Sequence, residues 1–178
     1  MREEIIIAGF GGQGVMSIGK IIAYAAMKEG KEVSWMPSYG PEMRGGTAHC
    51  AVKVYSEKIP SPFSSKPNSL IVMNLPSLEK FEPMVKEGGM IILNSSLIDE
   101  DVARNDLDIV KVPANEIANN LGNDRIANVV MLGAYLAKKG IIEVETVKKS
   151  LASVFPERRH NLIPVNKKAI DEGISIVE

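Results

Sequence analysis

The sequence has 178 residues, 45% apolar and 24% charged, with a formal net charge of −1. That length suits one domain with a sizeable core, and the near-neutral balance gives no global attraction to nucleic acid or to an anionic membrane. No apolar run reaches the roughly 18–20 residues of a membrane span, MREEIIIAGF does not read as a secretory signal, and a lone Cys50 can form neither an internal disulfide nor an iron–sulfur cluster, which takes about four thiolates. A soluble, cytoplasmic chain is expected.

Residues 5–8 (IIIA) are continuously apolar, the pattern of a strand buried on both faces. After a run of glycines, Val15, Ile18, Ile22 and Ala25 recur at helical spacing, which predicts a helix over 14–29 ended by Gly30. A second strand follows at 32–36, so the first thirty residues or so read as a strand–helix–strand parallel crossover. Residues 37–46 (PSYGPEMRGG) are a loop by their prolines and glycines. Residues 47–55 alternate, with Cys50, Val52 and Val54 on one face and Ala51, Lys53 and Tyr55 on the other. That is a half-buried strand, expected antiparallel at a sheet edge.

Residues 60–68 form a second proline-rich loop. Strands are predicted at 70–74, 90–94 and 109–112, with a short helix at 76–85 that carries proline in its first turn. The remainder is helical in pattern, over 114–121, 125–139, 144–154 and 164–172. Strands and helices alternate and then helices dominate. The expected fold is α/β: a Rossmann-like, doubly wound, mostly parallel sheet with a helical C-terminal part, in a single domain over 1–178.

GFGGQG (9–14) is a glycine-x-glycine-x-x-glycine turn between a strand and a helix. In such a turn Gly9 permits the bend, Gly11 lets backbone approach a phosphate, and Gly14 lets the helix pack closely. The helix start then offers free N–H groups to an anion. Nicotinamide dinucleotides make a second demand, an acid at the end of the second strand. That stretch reads VSWMPS and has none, nor an arginine for a 2′-phosphate. A phosphate-bearing ligand of another kind, or a tight turn that binds nothing, remain open.

SYGPEMRGGTAHC (38–50) should open on the same crevice, because loops at the carboxyl ends of neighbouring strands line it together. Arg44 can fork onto a carboxylate or phosphate, Glu42 can accept from an amine or pair with Arg44, and Gly45 and Gly46 offer backbone N–H groups. A surface turn with a local Glu42–Arg44 pair is the plainer alternative.

With both loops in view, the sequence resembles the gamma subunits of 2-oxoacid:ferredoxin oxidoreductases. The matching stretches are GFGGQGV (9–15), SYGPEMRGGTAHC (38–50), LIVMN (70–74), EGGMIILNSS (87–96), ANVVMLGAYLAKKG (127–140) and NKKAIDEG (166–173). PEMRGGT looks nearest the 2-oxoglutarate type, with the pyruvate, branched-chain and indolepyruvate types as relatives. The resemblance implies part of an enzyme that decarboxylates a 2-oxoacid oxidatively to an acyl-coenzyme A and passes electrons to ferredoxin. It implies alpha and beta subunits, with a delta subunit in some arrangements, that hold thiamine diphosphate, magnesium and the iron–sulfur clusters. This chain alone holds none of these, and alone it would be inactive; a homodimer is one form the isolated chain could take.

Carried over residue by residue, Gly9, Gly11, Gly12, Gln13 and Gly14 match the first loop. Tyr39, Gly40, Pro41, Glu42, Arg44, Gly45 and Gly46 match the second. All but Pro41 are candidate cofactor-binding residues, none is assigned as catalytic, and no metal ligand is expected. Arg44 and the glycine amides would favour the anionic parts of coenzyme A or the 2-oxoacid. An autonomous NAD(P)-dependent oxidoreductase and a nucleotide-sensing Rossmann module are the rival readings.

The remaining polar residues have plainer roles. His49 and His160, the only histidines, lack metal-ligand spacing. Cys50 is expected as a buried thiol. The basic group of Arg158, Arg159, His160, Lys167 and Lys168 is expected as a solvated face. Asn128, inside an apolar helix, is expected to find a hydrogen-bond partner if buried.

Overall fold

The computed structural model describes residues 1–38, 47–63 and 66–177. Among them, six strands form one sheet. β1 is Arg2–Phe10, β2 Glu32–Ser38, β3 Thr47–Tyr55, β4 Ser69–Val72, β5 Met90–Asn94 and β6 Asp108–Val112. The order across the sheet is β2-β3-β1-β4-β5-β6. β1 pairs in parallel with β4, and β4, β5 and β6 continue in parallel. β3 is antiparallel to both β1 and β2, so five strands point one way and β3 alone runs back.

The apolar run at 5–8 is a central strand covered on both sides. Ile5 and Ile7 face the larger core, built with α1 (Val15–Lys28), α4 (Ala127–Lys139), α5 (Val144–Val154) and α6 (Ile163–Ser175). Ile6 and Ala8 face the smaller one, built with α2 (Leu75–Phe81) and the Ile98 segment. α3 (Ala114–Asn120) joins the larger side through Ala114 and Ala118. Helices therefore lie on both faces, as a doubly wound sheet requires.

Three expectations are corrected. The alternating strand at 47–55 is antiparallel, but it is not at the edge. The chain turns back after β2 and inserts β3 between β2 and β1. β2 is the edge, and it carries Pro37, which a ladder tolerates only where an N–H is dispensable. The β1–α1–β2 crossover is still parallel in sense, yet it skips one strand position. The predicted strand at 70–74 ends at Val72, because Asn74 is spent as the cap of α2: its side chain accepts from the Ser77 N–H at 2.9 Å. The helix expected over 76–85 stops at Phe81, and Glu82–Met84 forms a tighter single turn around Pro83. A similar turn, Asp124–Ile126, precedes α4.

The two faces of β3 match the sequence pattern. Cys50, Val52 and Val54 enter the larger core. Burial pushes the Cys50 thiol up to about 12, and its Sγ donates to the Val15 carbonyl at 3.5 Å. On the other face the His49 ring tilts against Phe81, with centroids 4.8 Å apart.

α4 and α6 cross where neither can carry a side chain. A Cβ on Gly133 would stand 2.2 Å from the Ile170 carbonyl oxygen, and one on Gly173 would stand 2.0 Å from the Val130 oxygen. Backbone meets backbone, so relief requires moving a whole helix. Gly133→Ala is expected to cost about 1–3 kcal/mol, the usual range for overpacking. Urea denaturation followed by circular dichroism measures it, and an unchanged midpoint would refute the close crossing.

Candidate functional site

The glycine turn sits where β1 ends. Phe10 and Gln13 close it, with the Gln13 N–H donating to the Phe10 carbonyl at 3.1 Å. The Gln13 side chain folds back over it: its Oε1 accepts from the Phe10 N–H at 2.6 Å, and its Nε2 donates to the Met73 carbonyl at 3.4 Å. Asn74 Nδ2 also reaches Gln13 Oε1 at 3.4 Å. One glutamine thus ties the ends of β1 and β4 together.

The glycines work differently from the sequence expectation. Gly9 is a strand residue rather than a bend; a Cβ there would meet Gln13 Oε1 at 2.7 Å and Met73 Cβ at 2.9 Å. The left-handed positions are Gly12 (φ 95°) and Gly14 (φ 74°). What Gly14 makes room for is not a strand but a side chain of α4. A Cβ would lie 2.3 Å from Asn128 Nδ2, which donates to the Gly14 carbonyl at 3.0 Å. This is the partner that the sequence required for Asn128. The same carbonyl accepts from the Ser17 N–H at 3.0 Å and the Ile18 N–H at 3.3 Å, which starts α1. No side chain caps α1, and no acid lies in its first turn.

Connections from β1 and β4 leave toward opposite faces, α1 to one and α2 to the other. The carboxyl ends of these two strands are therefore a topological switch point, where an open α/β sheet presents its crevice. A cleft of about 110 Å³ lies there, between Gly12 and Gln13 on one side and Asn115, Arg125 and Asn128 on the other. A second cleft, of about 150 Å³, opens behind the turn against Gly14, Ser17, Arg159 and Asn166. Sequence reasoning missed Arg125, Asn115 and Asn166 as neighbours of the loop, because they are far away in the chain. It placed Arg159 only on a solvated face.

Register places the second loop's anchors at this same end. Phe10 is paired with Thr47, and Ser38 with His49. Tyr39, Gly40, Pro41, Glu42, Arg44, Gly45 and Gly46 lie outside the described residues. A larger hollow, about 680 Å³, lies elsewhere, near the amino ends of β4 and β5. Its Arg104 is already committed to Asp106 and to the Glu82 and Val85 carbonyls, so it offers a ligand little. Among the described residues no group of three His, Cys, Asp or Glu could hold a metal, and no helix is long and apolar enough to cross a membrane.

The model of the pyruvate ferredoxin/flavodoxin oxidoreductase family matches residues 4–176. The chain belongs to this family. It is 40% identical over 172 residues to the ketoisovalerate oxidoreductase subunit VorA of Methanothermobacter marburgensis, covering 96% of this chain and 35% of that one. The chain thus spans about a third of that relative's length. The gamma subunit of a keto/oxoacid ferredoxin oxidoreductase from Geobacter sulfurreducens superposes with a TM-score of 0.83 at 29% identity, over 98% of both chains. The 2-oxoglutarate:ferredoxin oxidoreductase of Magnetococcus marinus, solved with 2-oxoglutarate, coenzyme A and succinyl-CoA bound, gives 0.89 at 25% identity, over 99% of this chain and 31% of that one. The resemblance to gamma subunits holds for sequence and fold alike.

Gly14→Ala tests the turn. The left-handed backbone alone costs about 1–2 kcal/mol for an L-residue, and Asn128 must also withdraw. The variant should unfold at lower urea than the parent; equal stability would mean that the turn relaxes freely.

Proposed function

We propose that the chain is the gamma part of a thiamine-diphosphate-dependent 2-oxoacid:ferredoxin oxidoreductase. The complete cytoplasmic enzyme would decarboxylate a 2-oxoacid oxidatively, 2-oxoglutarate in the first instance, form the acyl-coenzyme A and reduce ferredoxin. The observation that carries this reading is the match to gamma chains along the whole described length, in both sequence and fold. The Magnetococcus enzyme, with 2-oxoglutarate and coenzyme A bound, supports the substrate pair. The VorA relative supports ketoisovalerate as the second 2-oxoacid to test.

In this reading 1–178 is one gamma-type domain, and its partners are the alpha, beta and, where present, delta subunits. Those partners hold thiamine diphosphate, magnesium and the clusters. The single Cys50 is buried, and a cluster needs about four thiolates. What this chain supplies is a wall of the cofactor cleft. Gly11, Gly12 and Gly14 bring backbone to the carboxyl end of the sheet beside Gly9, and Gln13 holds that turn to β4; Tyr39, Gly40, Glu42, Arg44, Gly45 and Gly46 would add to this wall, since their flanking residues Ser38 and Thr47 lie at the same end. Arg44 would pair with an anionic group of coenzyme A or of the 2-oxoacid.

An autonomous NAD(P) enzyme fits the topology poorly. A dinucleotide fold reads the ribose from the strand beside β1, at that strand's carboxyl end. Here the strand beside β1 is β3, which runs the other way.

Two measurements test the proposal. The native complex should reduce a viologen or ferredoxin with coenzyme A and 2-oxoglutarate; a panel including ketoisovalerate, pyruvate and indolepyruvate fixes the acid. No 2-oxoacid-dependent reduction by any member would refute the assignment. Arg44→Ala in the assembled complex should raise the KM for coenzyme A or the 2-oxoacid about tenfold or more, the loss of one charge-assisted bond. Unchanged kinetics with assembly intact would remove Arg44 from the cleft.

A further inference from the structure

An apolar groove runs beside one edge of the sheet. β2 is the last strand on that side, and among the described residues no strand pairs with its outer side. Val33 and Trp35 pack toward the larger core, so Glu32, Ser34 and Met36 alternate to the other face. With Ala23, Tyr24 and Met27 of α1 and Val154 of α5, Val33 and Trp35 line a groove of about 450 Å³. Trp35 sets its indole nitrogen inward, where a Cβ on Gly19 would meet it at 2.9 Å and the Cys50 sulfur at 2.5 Å. Met27 stands 56% exposed in the groove wall.

Charge is the second observation. Lys20 and Lys28 are both exposed and rest on the groove's two aromatic rings. Lys20 Nζ lies 5.0 Å from the Trp35 centroid, and Lys28 Nζ 5.1 Å from that of Tyr24. Among the described residues neither has a carboxylate partner. By contrast Lys31 is paired with Glu29, and Lys148 with Asp171 and Glu145. No acid lines the groove. The edge therefore offers apolar contact, unpaired strand backbone and positive charge together. A second copy of this chain is a poor occupant, because a two-fold pairing of β2 with β2 sets identical surfaces against each other and brings four lysines to one seam.

We propose that β2 and this groove receive an extended acidic segment of a partner protein, added to the sheet as a further strand. Its backbone pairs along Glu32–Met36, since Pro37 has no N–H to give. Its alternate side chains enter the groove. Lys20 and Lys28 are two turns or so apart on α1, about 12 Å at 1.5 Å per residue. Four residues of extended strand cover about 13 Å. The segment thus has an apolar residue facing Trp35 and Tyr24, with a carboxylate two positions to either side.

No residue of the glycine turn takes part, so this surface is tested apart from the enzyme assignment. The probe is a capped heptapeptide, Ser-Glu-Thr-Ile-Thr-Glu-Ser, titrated into the full-length, nitrogen-15-labelled chain. It should saturate and shift the amides of residues 32–36 and the Trp35 indole. The same peptide with lysines for its glutamates should bind at least about tenfold more weakly, the effect of two exposed ion pairs turned to repulsion. Proline in place of its isoleucine should abolish binding, since strand addition loses an N–H and the apolar anchor. The Lys20→Gln/Lys28→Gln double variant should keep the parent's circular dichroism spectrum and bind the acidic peptide about five- to tenfold more weakly. No saturation, equal binding of the acidic and basic peptides, or indifference to the proline would overturn the proposal. A dimer in sedimentation that protects the β2 amides from hydrogen exchange would put a second copy on this edge and overturn it equally.

Discussion

The carboxyl end of the sheet depends on one hydrogen bond, from Asn128 Nδ2 to the Gly14 carbonyl. It joins residues 114 positions apart in the chain, and it fixes three things together. The turn after β1 is held open in a left-handed conformation at Gly14, the start of α1 is set, and the start of α4 is locked against it. Gln13 does the complementary task on the other side by binding the turn to Met73 and Asn74. A glycine loop alone is soft, since glycine loses the most backbone freedom on ordering. Here two amide side chains supply the order.

The place of β3 sets this glycine turn apart from that of a dinucleotide fold. A loop of this wording, seated between a strand and a helix, suits a dinucleotide only when its neighbours cooperate. In this fold an antiparallel strand stands beside β1 and displaces β2 to the edge. The crossover still brings the carboxyl ends of β1 and β2 to the same side. The ribose-reading position is occupied by a strand of opposite sense. The fold keeps the glycine turn and the uncapped start of α1, without a parallel strand beside β1 on that side.

Much of this was legible in the residues. The IIIA run announced a central strand because it does not alternate, and the alternation over 47–55 announced a strand with two unlike faces. The partner demanded by Asn128 was legible as a requirement and not as an identity, since nothing local says that an amide on the fourth helix meets the first loop. The edge assignment of β3 failed for a similar reason: alternation reports how a strand's faces differ, not how many neighbours it has. Arg125 and Asn166 were invisible as site residues, because helix amino ends converge through packing such as the Gly133–Gly173 crossing. No sequence period encodes that crossing.

The two ends of β1 differ in how their polar groups are settled. At the amino end, Glu3 is buried but receives Ser69 Oγ at 2.5 Å, the Tyr135 hydroxyl at 3.4 Å and Lys139 at 3.5 Å. Beside it Glu4 receives Tyr55 at 2.5 Å and Lys53 at 3.4 Å. Breaking such a buried pair costs about 3–5 kcal/mol, so that end is bound into the fold and has little to offer a ligand. At the carboxyl end the same strand leads to the start of α1, which has no side-chain cap and no acid in its first turn, and to Asn128, whose buried Oδ1 has no donor. Native interiors leave few such groups unpaired. The two ends of β1 are therefore unlike: one has its charges paired inside the fold, and the other keeps an uncapped helix start beside the glycine turn.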